Sequence, residues 1–492
     1  MKKLSELVFN NTYSALPRSF GTFIQPQPLD DPFLVSVNPK VSEMLELDPT
    51  QAHAQYFIDL FTGNDDHPAM SPLAMKYTGH QFGQYNPDLG DGRGLLMGEV
   101  QTSSGQKWDI HLKGSGLTPY SRQGDGRAVL RSSIREYLAS AAMSGLGIKT
   151  THALAVLASN TPVYRETVER GATLIRVAES HLRFGHFEYF FYTQQHNELK
   201  TLADYLIKHH FPDIDSQQDD TSRYSQMFNK IVSLTAEMIA DWQTVGFAHG
   251  VMNTDNMSVL GLTFDYGPFG FLDDYEPGFI CNHSDYSGRY AFNQQPAIAL
   301  WNLSALGYAL TPLLDKALLD QALEQYQPIL QKAYSAKMRA KLGLKEKLEE
   351  DTPLFSAMFD LLKSQSVDFT LFFRTLSSVP HNELQASGHL FENIVKDIAP
   401  LEAWLEMYSQ RLEKESCADG DRLDQMRSTN PKFILRNYLA QQAIELAEKG
   451  DFAMIEQLMT VLQAPFDEHP ELSHLAERPP EWGKKLEISC SS

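Results

Sequence analysis

Short apolar or alternating runs occupy residues 95–100 (LLMGEV) and 107–114 (KWDIHLKG), with Ser-Ser-Gly-Gln between them. A turn-forming centre between two such runs predicts a β-hairpin with Lys113 near the end of its second strand. Residues 128–146 (AVLRSSIREYLASAAMSGL) then carry apolar side chains at helical spacing, and the Gly145–Gly147 region supplies the stop. Glu136 falls inside that helix. Residues 151–159, 162–168 and 172–180 read as three further strands. From about residue 181 the period changes to helical, in 181–193, 202–209 and 222–245. Two strand-like pieces follow, at 257–262 and 269–273, and beyond about residue 293 nearly everything is helical up to a Pro-containing tail.

The pattern is α+β: a strand-rich lobe over 1–180 and a mostly helical lobe with extra helices over 181–492. The 492 residues suit a two-lobed enzyme or about three domain-sized units. No tandem repeat supports a solenoid. A net charge of −20 repels phosphate backbones, so general nucleic-acid binding is disfavoured, while a local basic pocket for a nucleotide is not. The opening MKKLSELVFNNTYS has no apolar stretch after its lysines, and no segment reaches membrane-span length; a cytoplasmic protein is expected. Three cysteines, Cys281, Cys417 and Cys490, make neither a disulfide framework nor a zinc pattern.

Against this acidic background some segments carry chemistry. Residues 76–94 (KYTGHQFGQYNPDLGDGRG) and 121–126 are dense in turn formers. Gly90-Asp91-Gly92-Arg93 and Gly124-Asp125-Gly126-Arg127 repeat one tetrapeptide, whose backbone amides can cradle phosphate and whose arginine can fork onto its oxygens. Lys113 on a strand and Glu136 on the next helix form an ordered pair, the ammonium meeting phosphate and the carboxylate holding the ammonium. Arg176 on a strand and Arg183 at the following helix add positive charge. Further on, HGVMNTDN (249–256) precedes Asp265-Tyr266-Gly267. Asn256 and Asp265 offer the oxygens that Mg²⁺ or Mn²⁺ prefers.

Lysine, glutamate, a His-Gly loop with Asn, then Asp is the order that kinase-like enzymes use. One position departs: Val251 follows His249-Gly250, where small-molecule kinases place the aspartate that accepts the hydroxyl proton. Asp255 is the available carboxylate. Several fixed cations suit the expulsion of pyrophosphate better than γ-phosphoryl transfer. Three readings stay open: a nucleotidyltransferase, a kinase, and an inactive nucleotide-binding scaffold.

Residues 76–94, 111–138, 249–258 and 265–273 resemble the selenoprotein O family over most of the chain. The resemblance implies a protein-kinase-like fold with an inverted nucleotide. It also implies transfer of AMP from ATP to Ser, Thr or Tyr hydroxyls of proteins, with UTP and manganese used by bacterial members. It assigns Gly90, Gly92, Arg93, Lys113, Asp125, Gly126, Arg176 and Arg183 to the nucleotide, Glu136 to Lys113, Asn256 and Asp265 to the metal, and Asp255 to the acceptor proton. Some members end in Cys-x-x-selenocysteine. Here Cys490 is followed only by Ser491 and Ser492, and a Cys281–Cys490 bond would tether the tail across the segment after Asp265.

Overall fold

A computed structural model describes residues 1–488. Its centre is one antiparallel sheet, in the order Gly21–Phe23, Leu73–Met75, Gly94–Gln101, Lys107–Lys113, Val168–Ala178, His152–Tyr164, Phe33–Val37. Val8–Phe9 and Ala128–Val129 pair at its margins. The expected hairpin is present, with Gly94 opposite Lys113. Its strands are buried on both faces. Leu95, Met97, Ile110 and Leu112 meet Leu45, Phe57 and Phe61 on one side, and Leu96 and Leu174 join the core around Ile134 and Leu138 on the other. The first 70 residues, mixed in pattern, thus cover a sheet face and also supply three of its strands.

The two strands after the Leu130–Gly145 helix differ from the three expected. Residues 151–164 run as one strand, His152–Tyr164, with an irregularity between Ala158 and Pro162, and 165–167 form the turn. Pro162 is tolerated because pairing to Phe33–Val37 covers only Ala155–Ala158, so beyond it the proline's missing N–H faces an open edge. Residues 257–262 make only an isolated bridge, Arg183 with Ser258, and then turn at Gly261 (φ +65°). The partner of Gly270–Phe271 is instead Phe247–Ala248.

The Leu130–Gly145 helix is buried almost all round because it lies between the sheet and the Ala453–Gln463 helix. A Cβ on Gly145 would fall 1.9 Å from the Leu462 carbonyl oxygen, so the small residue permits this close approach as well as ending the helix. Helices dominate after residue 183. The longest, Asp220–Val245, starts where the Asp219 side chain accepts from the Ser222 N–H and stops at left-handed Gly246. A second core forms around Asp351–Gln365, Phe369–Leu376 and Ile398–Leu412. Among the described residues no helix is long and apolar enough to cross a membrane.

Lys341 stands in this second core. It is 4 % exposed, with its ammonium 4.2 Å from the Phe373 ring and 5.5 Å from Phe369. Burial pulls its pKa down to about 7. The unfolded chain binds this proton up to pH ~10.5 and the folded one only to about 7, so stability rises with pH across that window. Lys341→Met is therefore expected to stabilise the fold by about 1–3 kcal/mol at pH 7, a gain that shrinks towards pH 10 in chemical denaturation.

Candidate functional site

A cavity of about 630 Å³ opens between the sheet and the loops that follow the Asp220–Val245 helix. Gly90, Gly92, Arg93, Lys113, Asp125, Gly126, Arg176, Arg183, Asp255, Asn256 and Asp265 all line it. Glu136, the remaining residue singled out from sequence, lies behind the wall.

Two strands and one helix set the basic wall. Arg176 faces His111 across Val168–Ala178 and Lys107–Lys113, which brings its guanidinium beside Lys113. Glu136 rises from the Leu130–Gly145 helix beneath both. Its Oε2 accepts from Lys113 Nζ at 2.6 Å, and its two oxygens accept from Arg176 Nε at 2.6 Å and Nη2 at 3.1 Å. Burial favours the neutral carboxyl, yet Arg176 and Lys113 overcome it and hold Glu136 below the usual range. Burial also lowers Lys113, to about 8, against the pull of Glu136.

Asp265 closes the opposite wall. It occupies the left-handed region (φ +59°), which Asp tolerates better than most non-glycine residues. Its Oδ1 accepts from Arg176 Nη2 at 2.8 Å, and its Oδ2 pairs with Arg183 Nη1. Arg183 also donates to the Asp255 carbonyl at 2.8 Å and lies over the Tyr77 and Phe264 rings. Burial raises the Asp265 carboxyl, but Arg183, Arg176 and Lys113 together hold it far below the ordinary carboxylate range. Lys113, Glu136, Arg176, Asp265 and Arg183 thus form one continuous chain of alternating charge.

Asn256 donates from Nδ2 to the Val251 carbonyl at 3.0 Å, which turns its Oδ1 away from that bond. One amide oxygen and one carboxylate on a single cavity wall fit a hard divalent cation. Among the described residues no group of three or more His, Cys, Asp or Glu could hold a metal by itself, so phosphate oxygens and water would complete such a shell. His249 fixes the loop, with Nε2 2.9 Å from the Phe264 carbonyl oxygen. Val251 lines the cavity.

Asp255 is buried; among the described residues Gln81 Nε2 donates to its Oδ2 at 3.2 Å, and Oδ1 has no side-chain partner. Burial pushes its carboxyl up to about 7, although Arg183 opposes the rise. The folded state therefore holds this proton between pH ~3.8 and ~7 when the unfolded state does not, and stability contributed here is lost as pH rises through that window. In metal-free protein, Asp255→Asn is expected to raise the melting temperature more at pH 8 than at pH 5. Equal shifts at both values would count against an uncompensated carboxylate.

The phosphate-loop candidates differ in what they present. Gly90 (φ +135°) and Gly92 lie so close to Tyr120 that a Cβ would come within 2.7–2.8 Å of it. Arg93 is exposed into the cavity, and among the described residues its guanidinium makes no hydrogen bond. The second tetrapeptide is not its equivalent: Arg127 donates to the Gln27 and Pro28 carbonyls. Asp125 is gripped by both terminal nitrogens of Arg165, at 2.7 and 3.0 Å. Arg165 itself lines the cavity, and nothing in its local sequence marked it. Asp91, between the chosen glycines, anchors the first loop by accepting from the Met75 N–H at 3.1 Å and pairing with His111 Nε2 at 3.0 Å. Cys281 is buried 3.5 Å from the Ala248 carbonyl oxygen. Cys490, the other half of the suggested pair, lies outside the described residues.

Known proteins resemble this chain over nearly its whole length. Residues 3–463 match the family model described as "Protein adenylyltransferase SelO". The chain is 68% identical, over the whole of both chains, to the "Protein nucleotidyltransferase YdiU" of Photobacterium profundum. It is 57% identical over 99% of both chains to the protein of that description from Aliivibrio salmonicida, and 55% identical over the whole of both chains to that from Vibrio vulnificus.

Proposed function

The chain belongs to the SelO family of protein adenylyltransferases and is an enzyme that transfers a nucleotide, and from that premise we propose that it moves AMP from ATP onto Ser, Thr or Tyr hydroxyls of proteins. UTP is the alternative donor, Mg²⁺ or Mn²⁺ the accompanying cation, and the cytoplasm the place of action. We read residues 1–180 as the nucleotide-binding lobe of a kinase-like pair and 181–492 as the helical lobe that carries the metal loop. The observation that carries this reading is the density of cations on one cavity: Lys113, Arg93, Arg176 and Arg183 around Asp265 in a chain of charge −20.

The hydroxyl oxygen attacks the α-phosphorus, the bond from that phosphorus to the bridging oxygen breaks, and pyrophosphate leaves with the electron pair. Lys113, Arg176, Arg183 and the open Arg93 bind the phosphates and oppose the charge that develops on the leaving group. Gly90, Gly92 and Gly126 keep the backbone close enough to approach phosphate oxygens, and Asp125, steadied by Arg165, borders the same space. Asn256 and Asp265 would hold the cation, which supplies additional charge neutralisation at the phosphates when bound. Asp255, on the cavity wall, accepts the hydroxyl proton.

Nucleotide labelled at the α- or the γ-phosphate decides among the chemistries. Retention of α-label on protein with release of pyrophosphate is the expected result. Retained γ-label would instead mean a kinase. Bound nucleotide with neither label transferred would mean the inactive scaffold that Val251 suggests.

A further inference from the structure

We propose that an exposed aromatic ridge beside the cavity mouth docks the acceptor protein, and that it takes a segment whose accepting hydroxyl is flanked by an aromatic side chain and a carboxylate. The inference rests on the nucleotidyl-transfer reading above. The ridge consists of Phe82, Tyr85, Tyr192, Trp301 and Tyr308, with Arg289 set among them.

Its core is a small hairpin, Gly79–Gln81 paired with Gln84–Asn86, which composition alone suggested to be loop. Phe82 and Gly83 form its turn with φ of +50° and +82°. Such a turn prefers Asn or Gly at the first of these positions, and a bulky aromatic there is strained. Phe82 is nonetheless 42 % exposed, so burial does not repay the strain. The hairpin is tied to the reaction centre rather than free. The His80 N–H donates to Thr254 Oγ1 at 2.7 Å, Gln81 bonds Asp255, and a Cβ on Gly79 would lie 2.7 Å from Asp255 Oδ1. Gln81 and Phe82 line the cavity itself.

Outward from the hairpin the aromatic surface is continuous. Tyr85 lies 4.0 Å from Tyr192 by ring centroids, His80 bridges to Trp301 at 5.3 Å, and Phe191 leads to Tyr308 at 5.1 Å. Tyr308, Tyr192 and Trp301 are all exposed. Single exposed apolar residues need no explanation, but a connected set at the rim of a site marks an interaction surface. Arg289 packs over Trp301 at 4.8 Å and against Gly83, makes no ion pair among the described residues, and has a buried Nε without a partner. Aromatic side chains with an interspersed arginine are the composition of interface centres. An uncompensated guanidinium in so acidic a chain selects a carboxylate in the partner. The occupant we assign is the second substrate, because Gln81 and Phe82 of this hairpin line the same cavity as Asp255 and Gln81 bonds its carboxylate.

The test uses the full-length enzyme, α-labelled ATP or UTP, and synthetic peptides with one central Ser, Thr or Tyr. The hydroxyl residue is flanked by Phe and Asp, by Phe and Lys, or by Ala alone. The wild type is expected to show a KM for the Phe/Asp peptides at least about tenfold below that for the Ala peptides. Trp301→Ala should raise that KM about tenfold, with kcat and nucleotide Kd unchanged. Arg289→Glu should transfer the preference to the Phe/Lys peptides, an exchange that general damage would not produce. Equal use of all peptides by the wild type, labelling of none while pyrophosphate is still released, or unaltered KM in both variants would each overturn the inference and leave the transfer reading intact. Self-association that hides Trp301 and lowers turnover would overturn it too, by making the ridge a contact between copies. Absence of pyrophosphate release from either nucleotide would defeat the transfer reading itself.

Discussion

Asp265→Asn is expected to reduce transfer of α-label at least about a thousandfold while leaving nucleotide affinity in metal-free buffer equal to the wild type or tighter. The two effects have separate causes. Transfer falls because the amide keeps the shape of the carboxylate but removes the charge that would hold a divalent cation against Asn256. Affinity is preserved because Asp265 occupies Arg176 and Arg183 with its own oxygens, one bond being 2.8 Å long. A nucleotide's phosphates must compete with that carboxylate for both guanidinium groups. Removing its charge releases them, at the cost of leaving two buried arginines without a full counterion and so lowering the melting temperature. Calorimetric titration of ATP with and without Mg²⁺, beside the label assay, separates the terms. Persistent labelling in the variant would mean that Asp265 holds no essential cation. Weakened metal-free binding would mean that the arginines do not serve phosphate.

The parts of the cavity that were legible in sequence are of two kinds: partners brought together by neighbouring regular elements, and loop residues whose type declares their chemistry. Lys113 could be expected to meet Glu136 because a strand end and the next helix of an antiparallel hairpin-plus-helix unit bring those positions together. Asn256 and Asp265 were visible because loop chemistry is written in residue type. What stayed hidden depends on register between distant strands or on the hand of a turn. Arg165 grips Asp125 across 40 residues, and only the His152–Tyr164 and Val168–Ala178 pairing puts its turn over that loop. The two Gly-Asp-Gly-Arg copies look equivalent as strings, yet Arg93 opens into the cavity while Arg127 is spent on the Gln27 and Pro28 carbonyls of the N-terminal segment. That segment had no clear period because it covers a sheet face with short helices and turns. The hairpin at Gly79–Asn86 escaped notice for a related reason: Phe82 at a left-handed turn position contradicts the local preference, and such contradictions concentrate where function outweighs stability.

Glu136→Gln tests whether the charge chain behind the cavity sets the protonation of Lys113. Glu136 is 1 % exposed and is the hydrogen-bonding partner of both Lys113 Nζ and Arg176 Nε. Replacing it leaves two buried cations facing each other, and a loss of about 3–5 kcal/mol of stability is expected, as for other broken buried pairs. A second consequence is specific to the site. Burial, with Arg93 and Arg176 nearby, already brings Lys113 down to about 8, and Glu136 is the principal influence holding it up. Without that carboxylate the lysine should be largely neutral at pH 8 and unable to act as a point charge on phosphate, so transfer should fall by about 100- to 1000-fold there. Lowering the pH restores the proton to Lys113, so the ratio of variant to wild-type kcat/KM should climb between pH 8 and pH 6. A glutamate that only supported the fold would lower that ratio equally at both values, because unfolding caused by a missing contact does not follow the titration of one lysine.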